Sequence, residues 1–448
     1  MSRRKGVVAT SVAESMGRVE DAIRTHSRPS DLQITDLRTA VVASNYDYPI
    51  IRLDTNQGVT GIGEVRDAGH RENVLQFKSF LLGQNPCNVD MIFHAIKRFG
   101  SWGREGGGVS ALEIALWDVV GKVYGVPCYQ FLGGKYRDRV RIYADTPAPA
   151  EPTPEGYVER VLGRQALGLT FIKFDLGPRI LADVPGALIG TPTEGEAAAG
   201  ARGGRAPGSG AGTKLTEVGI ARLVEVVAAV RQAVGPEVAL CVDHFGHGWL
   251  TAKEVIRLGR ALEPYGLAWM EDPMPWWDID GHRQVTEAMA VPTAAGEELY
   301  LWEGFRALIE QRAVDIVHPD LLTAGGMLET KKIADYAERH GLPTALHFAG
   351  SPVAFAANLH CAAALSSFVA LEHHGLDLPF WNELVTGLPD PLLEGGYVRV
   401  PERPGLGVEL NYEALRANLR PPSGLFEPTD EWNTPRLGFW QPDRRWDR

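Results

Sequence analysis

The sequence predicts an α/β barrel preceded by a smaller α+β domain, and three observations lead there. Between Val238 and Leu378, six apolar runs recur every 23 to 28 residues, the length of one strand, one helix and two short loops. The runs are EVALCVD, GLAWMED, VPTAAGEE, VDIVHPD, LPTALH and FVALEHH, and five of the six reach an acidic residue or pair. Buried parallel strands read as continuous apolar runs, and the residue closing each strand of such a barrel faces the active site. Ahead of this stretch, strand-like segments come before helical ones, the order of an α+β domain.

At 448 residues the chain exceeds what one core usually serves, so two domains are expected. Hydrophobic content of 44% and charged content of 23% are ordinary for a globular enzyme. A net charge of −11 argues against nucleic acid or an anionic membrane as partner. Cys87, Cys128, Cys241 and Cys361 are scattered, which suggests neither disulfides nor a zinc site. No apolar run reaches the roughly 18–20 residues of a membrane span, and the start MSRRKGVVATSVAES lacks a signal-peptide core. A cytoplasmic protein is the expectation.

In chain order, residues 1–30 read as a flexible N-terminal segment and 31–138 as the α+β domain. There LQITDLRTAVVAS and YPIIRLDTNQGVTGIGEV are strands, with NQG as a hairpin turn. Helical patterns follow near Val74–Leu82, Asp90–Phe99 and Val109–Tyr124, the last stopped by Gly125 and Pro127. The barrel is expected over residues 139–388. Its first strand is VRIYADT, and its second, LTFIKFDLG, carries Lys173 and Asp175 on one face. A Gly- and Ala-rich insertion at about 178–214 reads as either a lid over the active-site rim or a surface loop. Residues 389–448, rich in Pro, Arg and Trp, are expected to pack back across the first domain.

The strand ends carry the chemistry. Asp243, Glu271 and Glu297 make an oxygen-only set suited to Mg²⁺. Asp272 and Glu298, second in their pairs, read as caps of the helices that follow. Asp320 and His347 form a candidate dyad in which the carboxylate fixes the imidazole as base or acid. Lys173 offers an ammonium to a substrate carboxylate or to developing negative charge. Glu372 faces it across the barrel closure, to donate a proton or hydrogen bond to that charge. Together these groups suit removal of a proton α to a carboxylate, through an enediolate that a metal stabilises.

On these motifs the chain resembles the mandelate racemase-like subgroup of the enolase superfamily. The likeness covers nearly its whole length, through SALEIALWDVVGKVYGVPCYQFLGG, CVD, WMEDP, AAGEE, DIDGH, HPDLLTAGG, ALHFAGSP and ALEHH. The resemblance implies an N-terminal α+β capping domain on a modified TIM barrel, (β/α)7β. It implies Mg²⁺ on Asp243, Glu271 and Glu297, a His347–Asp320 base and Glu372 as electrophilic acid. Capping-domain loops at Asn45–Tyr48 and Glu64–His70 would shape specificity, and a homo-oligomer, dimer or octamer, is implied.

One departure is informative. Racemases of this kind end the second strand with Lys-x-Lys, whereas here Lys173-Phe174-Asp175 stands. Asp175 cannot serve as a cationic second base, which disfavours racemisation. Loss of a β-hydroxyl needs one base and one acid, which His347 could supply in turn, so dehydration of a sugar acid (aldonate or aldarate) to a 2-keto-3-deoxy acid is expected. A racemase or epimerase of a 2-hydroxy acid using Asp175, and a catalytically silent sugar-acid-binding paralogue, are the alternatives. His247 is a candidate for the leaving or a distal hydroxyl, and His244 reads as structural. His373 and His374 fit either the distal pocket or packing beneath the loop. WGREGGG lacks the Gly-Lys-Ser/Thr of a phosphate loop. The TAGG at Thr323–Gly326 reads as a chain turn, with anion binding at a helix start as its alternative. Trp276 and Trp277 read as loop anchors.

Overall fold

A computed structural model describes residues 29–67, 69–100, 103–189, 214–243 and 250–436. Strands β1 (Ile34–Val42), β2 (Tyr48–Thr55) and β3 (Thr60–Glu64) pair antiparallel in chain order. The turn between β2 and β3 holds Gly58 at φ +75°, a left-handed conformation glycine adopts without strain. Helices α1 (Val89–Ile96) and α2 (Gly108–Tyr124) complete the α+β domain, with Gly125 at φ +70° ending α2. Helix α2 lies unusually close to β3. A Cβ on Gly61 or Gly63 would stand 2.1 or 2.2 Å from the carbonyl oxygens of Ala115 and Ala111. Only glycine on the strand and small residues on the helix permit that approach.

Eight parallel strands then close a barrel. They are β4 (Arg139–Ala144), β5 (Phe171–Asp175), β8 (Ala239–Asp243), β9 (Trp269–Glu271), β10 (Thr293–Ala295), β11 (Ile316–Val317), β12 (Thr344–Leu346) and β13 (Phe368–His373). β13 pairs back on β4, with Glu372 opposite Tyr143. The connecting helices are α3 (Pro154–Ala166), α4 (Glu217–Val234), α5 (Ala252–Leu262), α6 (Ile279–Ala288), α7 (Leu301–Glu310), α8 (Met327–Arg339) and α9 (Pro352–Ala364). Seven helices between eight strands make a (β/α)7β barrel. Helix α9 is apolar all round and buried along its whole length, between the barrel and the first domain.

Two short strands, β6 (Leu188–Ile189) and β7 (Lys214–Leu215), pair antiparallel where the insertion leaves and rejoins the barrel. Glu254, in the capping box of α5, also accepts from Leu215 N at 2.8 Å and so anchors that clasp. The rest of the insertion, on which the lid reading turned, lies outside the described residues, as does most of the N-terminal segment. Near the C-terminus, β14 (Val385–Thr386) pairs antiparallel with β16 (Glu409–Leu410), and β15 (Tyr397–Arg399) pairs antiparallel with β4. The chain beyond crosses the first domain: Ala43 N donates to Asn418 O, Arg420 N to Val41 O and Thr429 Oγ1 to Leu37 O.

Buried carboxylates of the first domain dock on barrel helix starts. Glu113 of α2 accepts from Met327 N (2.7 Å) and Leu328 N (3.0 Å), at the beginning of α8. The TAGG turn thus does present an anion site, and the chain's own carboxylate fills it. Glu64 likewise accepts from Ser351 N at 2.9 Å and pairs with the Ser351 hydroxyl at the start of α9. Helix N-termini favour such negative groups.

Burial nevertheless pushes Glu64 up to about 8 and Glu113 up to about 7, from an ordinary value of 4.5. Each holds its proton more tightly folded than unfolded, so its contribution to stability is complete below pH 4.5. That contribution is lost as pH rises through 7 to 8. We predict that Glu64→Gln with Glu113→Gln flattens the fall in Tm across this window, measured by calorimetry in buffers of matched ionic strength. An unchanged slope would count against the assignment.

Candidate active site

The mouth of the barrel is a ring of acids with a buried lysine and a buried arginine set into it. Lys173, pointing inward from β5, is 1% exposed. Its ammonium reaches Asp243 Oδ2 at 3.0 Å, Glu271 Oε1 at 2.7 Å and Glu372 Oε1 at 2.5 Å. One ammonium cannot neutralise three buried carboxylates. Burial, and then the charge of Asp243, hold Glu271 well above the usual carboxylate range. Burial also works against ionisation of Glu372, but Lys173, His347 and His374 outweigh it and hold that group well below its ordinary value.

The second cation, Arg66, enters from the first domain just beyond β3. It is fully buried and donates to Glu297 O (2.9 Å), Thr323 Oγ1 (2.6 Å) and Asp67 Oδ1 (2.7 Å). It also stands 3.5 Å from Asp320 Oδ2 and 3.7 Å from Glu297 Oε1. Asp320 is thereby fixed on all sides. Its Oδ1 accepts from Leu322 N and its Oδ2 meets His347 Nδ1, both at 2.6 Å. Burial opposes ionisation of Asp320, and Arg66 with His347 more than offsets that. The other ring nitrogen of His347, Nε2, lies 2.9 Å from Glu297 Oε2. Burial acts to lower the imidazole, but Glu297, Glu372 and Asp320 together hold it well above its ordinary value.

Glu372, expected as a proton or hydrogen-bond donor, instead accepts in this arrangement. Lys173, Tyr143 Oη (2.9 Å) and Phe348 N (3.3 Å) all donate to it. Below it Tyr143 meets His318 Nε2 at 2.7 Å. His318 is buried and held neutral, its pKa down to about 3 through burial and the neighbouring His347. Neither Tyr143 nor His318 was singled out in the sequence. The available signal was a polar ring inside a strand run otherwise apolar, YADT and VHPD.

The remaining expected residues are less central. Asp175 is half-buried at the end of β5, in register with Asp243. Asn45 is exposed on the β1–β2 loop, where its oxygen accepts from Ser44 and Tyr48. His247, with His244, lies outside the described residues. Glu64 and Arg66, expected in a specificity loop, are buried contacts to the barrel. Asp272 and Glu298 do not cap the helices that follow: α6 is capped by Asp278, and α7 begins at Leu301 without a side-chain cap. Asp272 instead sits at φ +44°, turning the chain at the barrel rim. Trp276 packs against the core beside Trp277, which is largely exposed.

Asp243, Glu271 and Glu297 stand on successive strand ends, but Glu297 is turned to His347. Groups of three metal-competent side chains whose ligand atoms lie within 4.8 Å of one another are, among the described residues, His347–Glu372–His374 and Glu271–His318–Glu372. The donor chemistry of the carboxylate trio still fits a hard divalent cation. Its oxygens are buried, and burial, with the charge of Asp243 beside it, holds Glu271 above the usual carboxylate range, a pressure that a bound cation would relieve.

Comparison with known proteins agrees with this architecture. A family model described as enolase C-terminal domain-like matches residues 157–415, and one for the mandelate racemase/muconate lactonizing enzyme N-terminal domain matches residues 18–133. The chain is 37% identical over 404 residues to a D-xylonate dehydratase of Haloferax volcanii, covering 89% of this chain and 91% of that one. It is 29% identical over 399 residues to a D-galactonate dehydratase family member of Pseudarthrobacter chlorophenolicus, covering 84% and 93%. Among solved structures, a mandelate racemase/muconate lactonizing enzyme-like protein from Rubrobacter xylanophilus matches with a TM-score of 0.76 at 31% identity, over 89% of this chain and all of that one.

Arg66 leaves a measurable mark. Breaking a buried ion pair by removing one partner typically costs about 3–5 kcal/mol. We predict that Arg66→Met lowers unfolding free energy in urea by that order, while Arg71→Met, an exposed neighbour, changes it by less than about 0.5 kcal/mol. The chain belongs to the mandelate racemase/muconate lactonizing enzyme family of the enolase superfamily, whose membership implies a divalent metal.

Proposed function

We propose that the protein is a Mg²⁺-dependent hydro-lyase that converts a sugar acid into a 2-keto-3-deoxy acid. The observation that carries this is the ring itself: a carboxylate-backed imidazole beside a buried ammonium, with an acid where a racemase's second basic lysine would stand. The names of its relatives support it, since D-xylonate, D-galactonate and D-gluconate dehydratases are among them. They favour an aldonate as substrate.

Asp243, Glu271 and Glu297 would hold the cation. When bound it supplies Lewis-acid stabilisation of the negative charge that collects on the substrate carboxylate as the α-proton leaves. Lys173 adds a fixed positive charge to the same region, aimed by the three carboxylates around it. His347 removes the C2 proton, in the orientation set by Asp320. Glu297 contributes the largest charge keeping a proton on His347, so committing Glu297 elsewhere lowers the basicity of the imidazole and frees Nε2. Arg66 keeps Asp320 ionised throughout. The C2–H electrons pass through the enediolate to form C2=C3 as the C3 hydroxyl departs, and the enol tautomerises to the ketone.

The test is a screen of the chelator-treated protein, with and without Mg²⁺, against C5 and C6 aldonic and aldaric acids, reading 2-keto acid as its semicarbazone. Product with at least one aldonate is expected, lost in His347→Asn and restored to chelated wild type by Mg²⁺. Mg²⁺ should also raise Tm of the wild type, since saturation at about 100 times Kd adds about 2.7 kcal/mol, and should not do so in Asp243→Asn. C2 proton exchange in D₂O without 2-keto acid from any substrate would instead establish the epimerase reading.

A further inference from the structure

The histidine pair after Glu372 divides cleanly. His373 points away from the ring: its Nδ1 accepts from Gly375 N at 2.9 Å, and it packs between Phe355 and Trp381. His374, one residue on, turns inward as strand alternation requires. Its Nε2 lies 3.0 Å from Glu372 Oε1 and its Nδ1 3.4 Å from Asp145 Oδ2, at the end of β4. The ring centroids of His374 and His347 are 5.9 Å apart at 57°. The mouth therefore holds two imidazoles, each backed by a carboxylate from a neighbouring strand end, with Glu372 between them. Asp320 supports His347, and Asp145 supports His374.

Dehydration requires a proton donor for the leaving hydroxyl; His347 could serve only after it has taken the C2 proton, whereas a second imidazole would let base and acid act on neighbouring carbons. Lys173 is committed to three carboxylates, and Glu372 accepts rather than donates. Tyr143 is fully buried with its hydroxyl spent on Glu372, and His347 begins the reaction as the base. His374 keeps 13% of its side chain exposed, which gives it a route to be reprotonated from solvent. Burial opposes its charged form, but Asp145 and Glu372 favour it and raise its pKa overall.

We propose that His374, positioned by Asp145, is the general acid that protonates the departing C3 hydroxyl. This rests on the dehydratase reading. In the step, the electron pair released from C2–H forms C2=C3, the C3–O bond breaks, and the oxygen takes the Nε2 proton of His374, which gives up its contact with Glu372 Oε1, to leave as water. His374 becomes neutral and regains its proton from solvent, while His347 keeps the C2 proton for delivery to C3 when the enol tautomerises. Base and acid thus sit on adjacent strands, β12 and β13.

The experiment compares wild type and His374→Asn, both with Mg²⁺ in D₂O, on the sugar acid the wild type turns over. It measures 2-keto acid formation, deuterium at C2 of recovered substrate, and fluoride release from the 3-deoxy-3-fluoro analogue, since fluoride leaves without a proton. General acid catalysis is typically worth about 10²–10⁴-fold, so dehydration should fall by that order in the variant. Deuterium should still enter C2 at a rate comparable with wild-type turnover, and fluoride release should stay within a few-fold of wild type. Asp145→Asn should shift the ratio of dehydration to exchange in the same direction, less far. Undiminished dehydration in His374→Asn would overturn the proposal, as would parallel loss of all three signals. So would finding that His247→Asn, and not His374→Asn, separates exchange from elimination. If the wild type exchanges C2 but dehydrates nothing, the dehydratase reading falls first and this assignment with it.

Discussion

The structure depends on accommodating a crowd of acidic side chains in a buried barrel mouth. Parallel strands aim their final residues at one point, and here Asp243, Glu271, Glu297, Asp320 and Glu372 all arrive there, each at most 5% exposed. Two like charges 4 Å apart repel by about 4 kcal/mol even at an effective dielectric of 20, a large share of a typical domain's 5–15 kcal/mol of stability. Lys173 and Arg66 meet that demand from opposite sides. Burial, and then the charge of Asp243, raise Glu271, a pressure that a divalent cation would relieve.

Because Arg66 belongs to the first domain, the site is a property of two domains rather than of the barrel. Arg66 links Asp320 and the backbone of Glu297, while Glu64 and Glu113 bind the first turns of α9 and α8. The glycines of β3 allow α2 to come close enough for Glu113 to reach across. Asp118 of α2 adds a further tie, accepting from Ile62 N on β3, from Leu406 N in the C-terminal segment and from Lys122. A domain held by buried hydrogen bonds and ion pairs transmits its position directly to the dyad, since Asp320 can hold only the imidazole orientation its own partners allow.

What the sequence revealed follows from which patterns are local. Strand ends could be read because apolar runs end where polarity returns, and Asp243, Glu271, Asp320, His347 and Glu372 all stand at or close to such ends, with Lys173 inside β5. Partners across the barrel or between domains leave no such trace. Arg66 and Asp320 are separated by more than half the chain, and their pairing depends on docking rather than periodicity. Tyr143 and His318 are single polar rings in otherwise apolar runs, a signal that does not say which partner across the barrel each one meets. Asp272 and Glu298 were misread because a carboxylate near a helix start usually caps it, whereas here loops intervene and the chain turns through a left-handed residue at Asp272. The direction of hydrogen bonding at Glu372 also escaped the sequence, for it depends on Lys173, Tyr143 and Phe348 N converging in space.

The arrangement of proton carriers around the ring bears on what chemistry the fold can run. A 1,1-proton transfer needs bases on both faces of one carbon, so the strand opposite the dyad must carry a basic group that is free to accept. On β5 that position holds Asp175, and the lysine two residues earlier is consumed by Asp243, Glu271 and Glu372. The two imidazoles lie side by side instead, on adjacent strand ends and 5.9 Å apart. Neighbouring carbons of a sugar acid, with the proton to be lost on one and the hydroxyl to be lost on the other, match such a pair better than a single inverted centre does. Lys173, held by those carboxylates, serves as a fixed charge rather than a base. The substitution of an acid at Asp175 is thus consistent with the rest of the ring: one face is assigned to charge and the other to protons, which favours elimination over inversion.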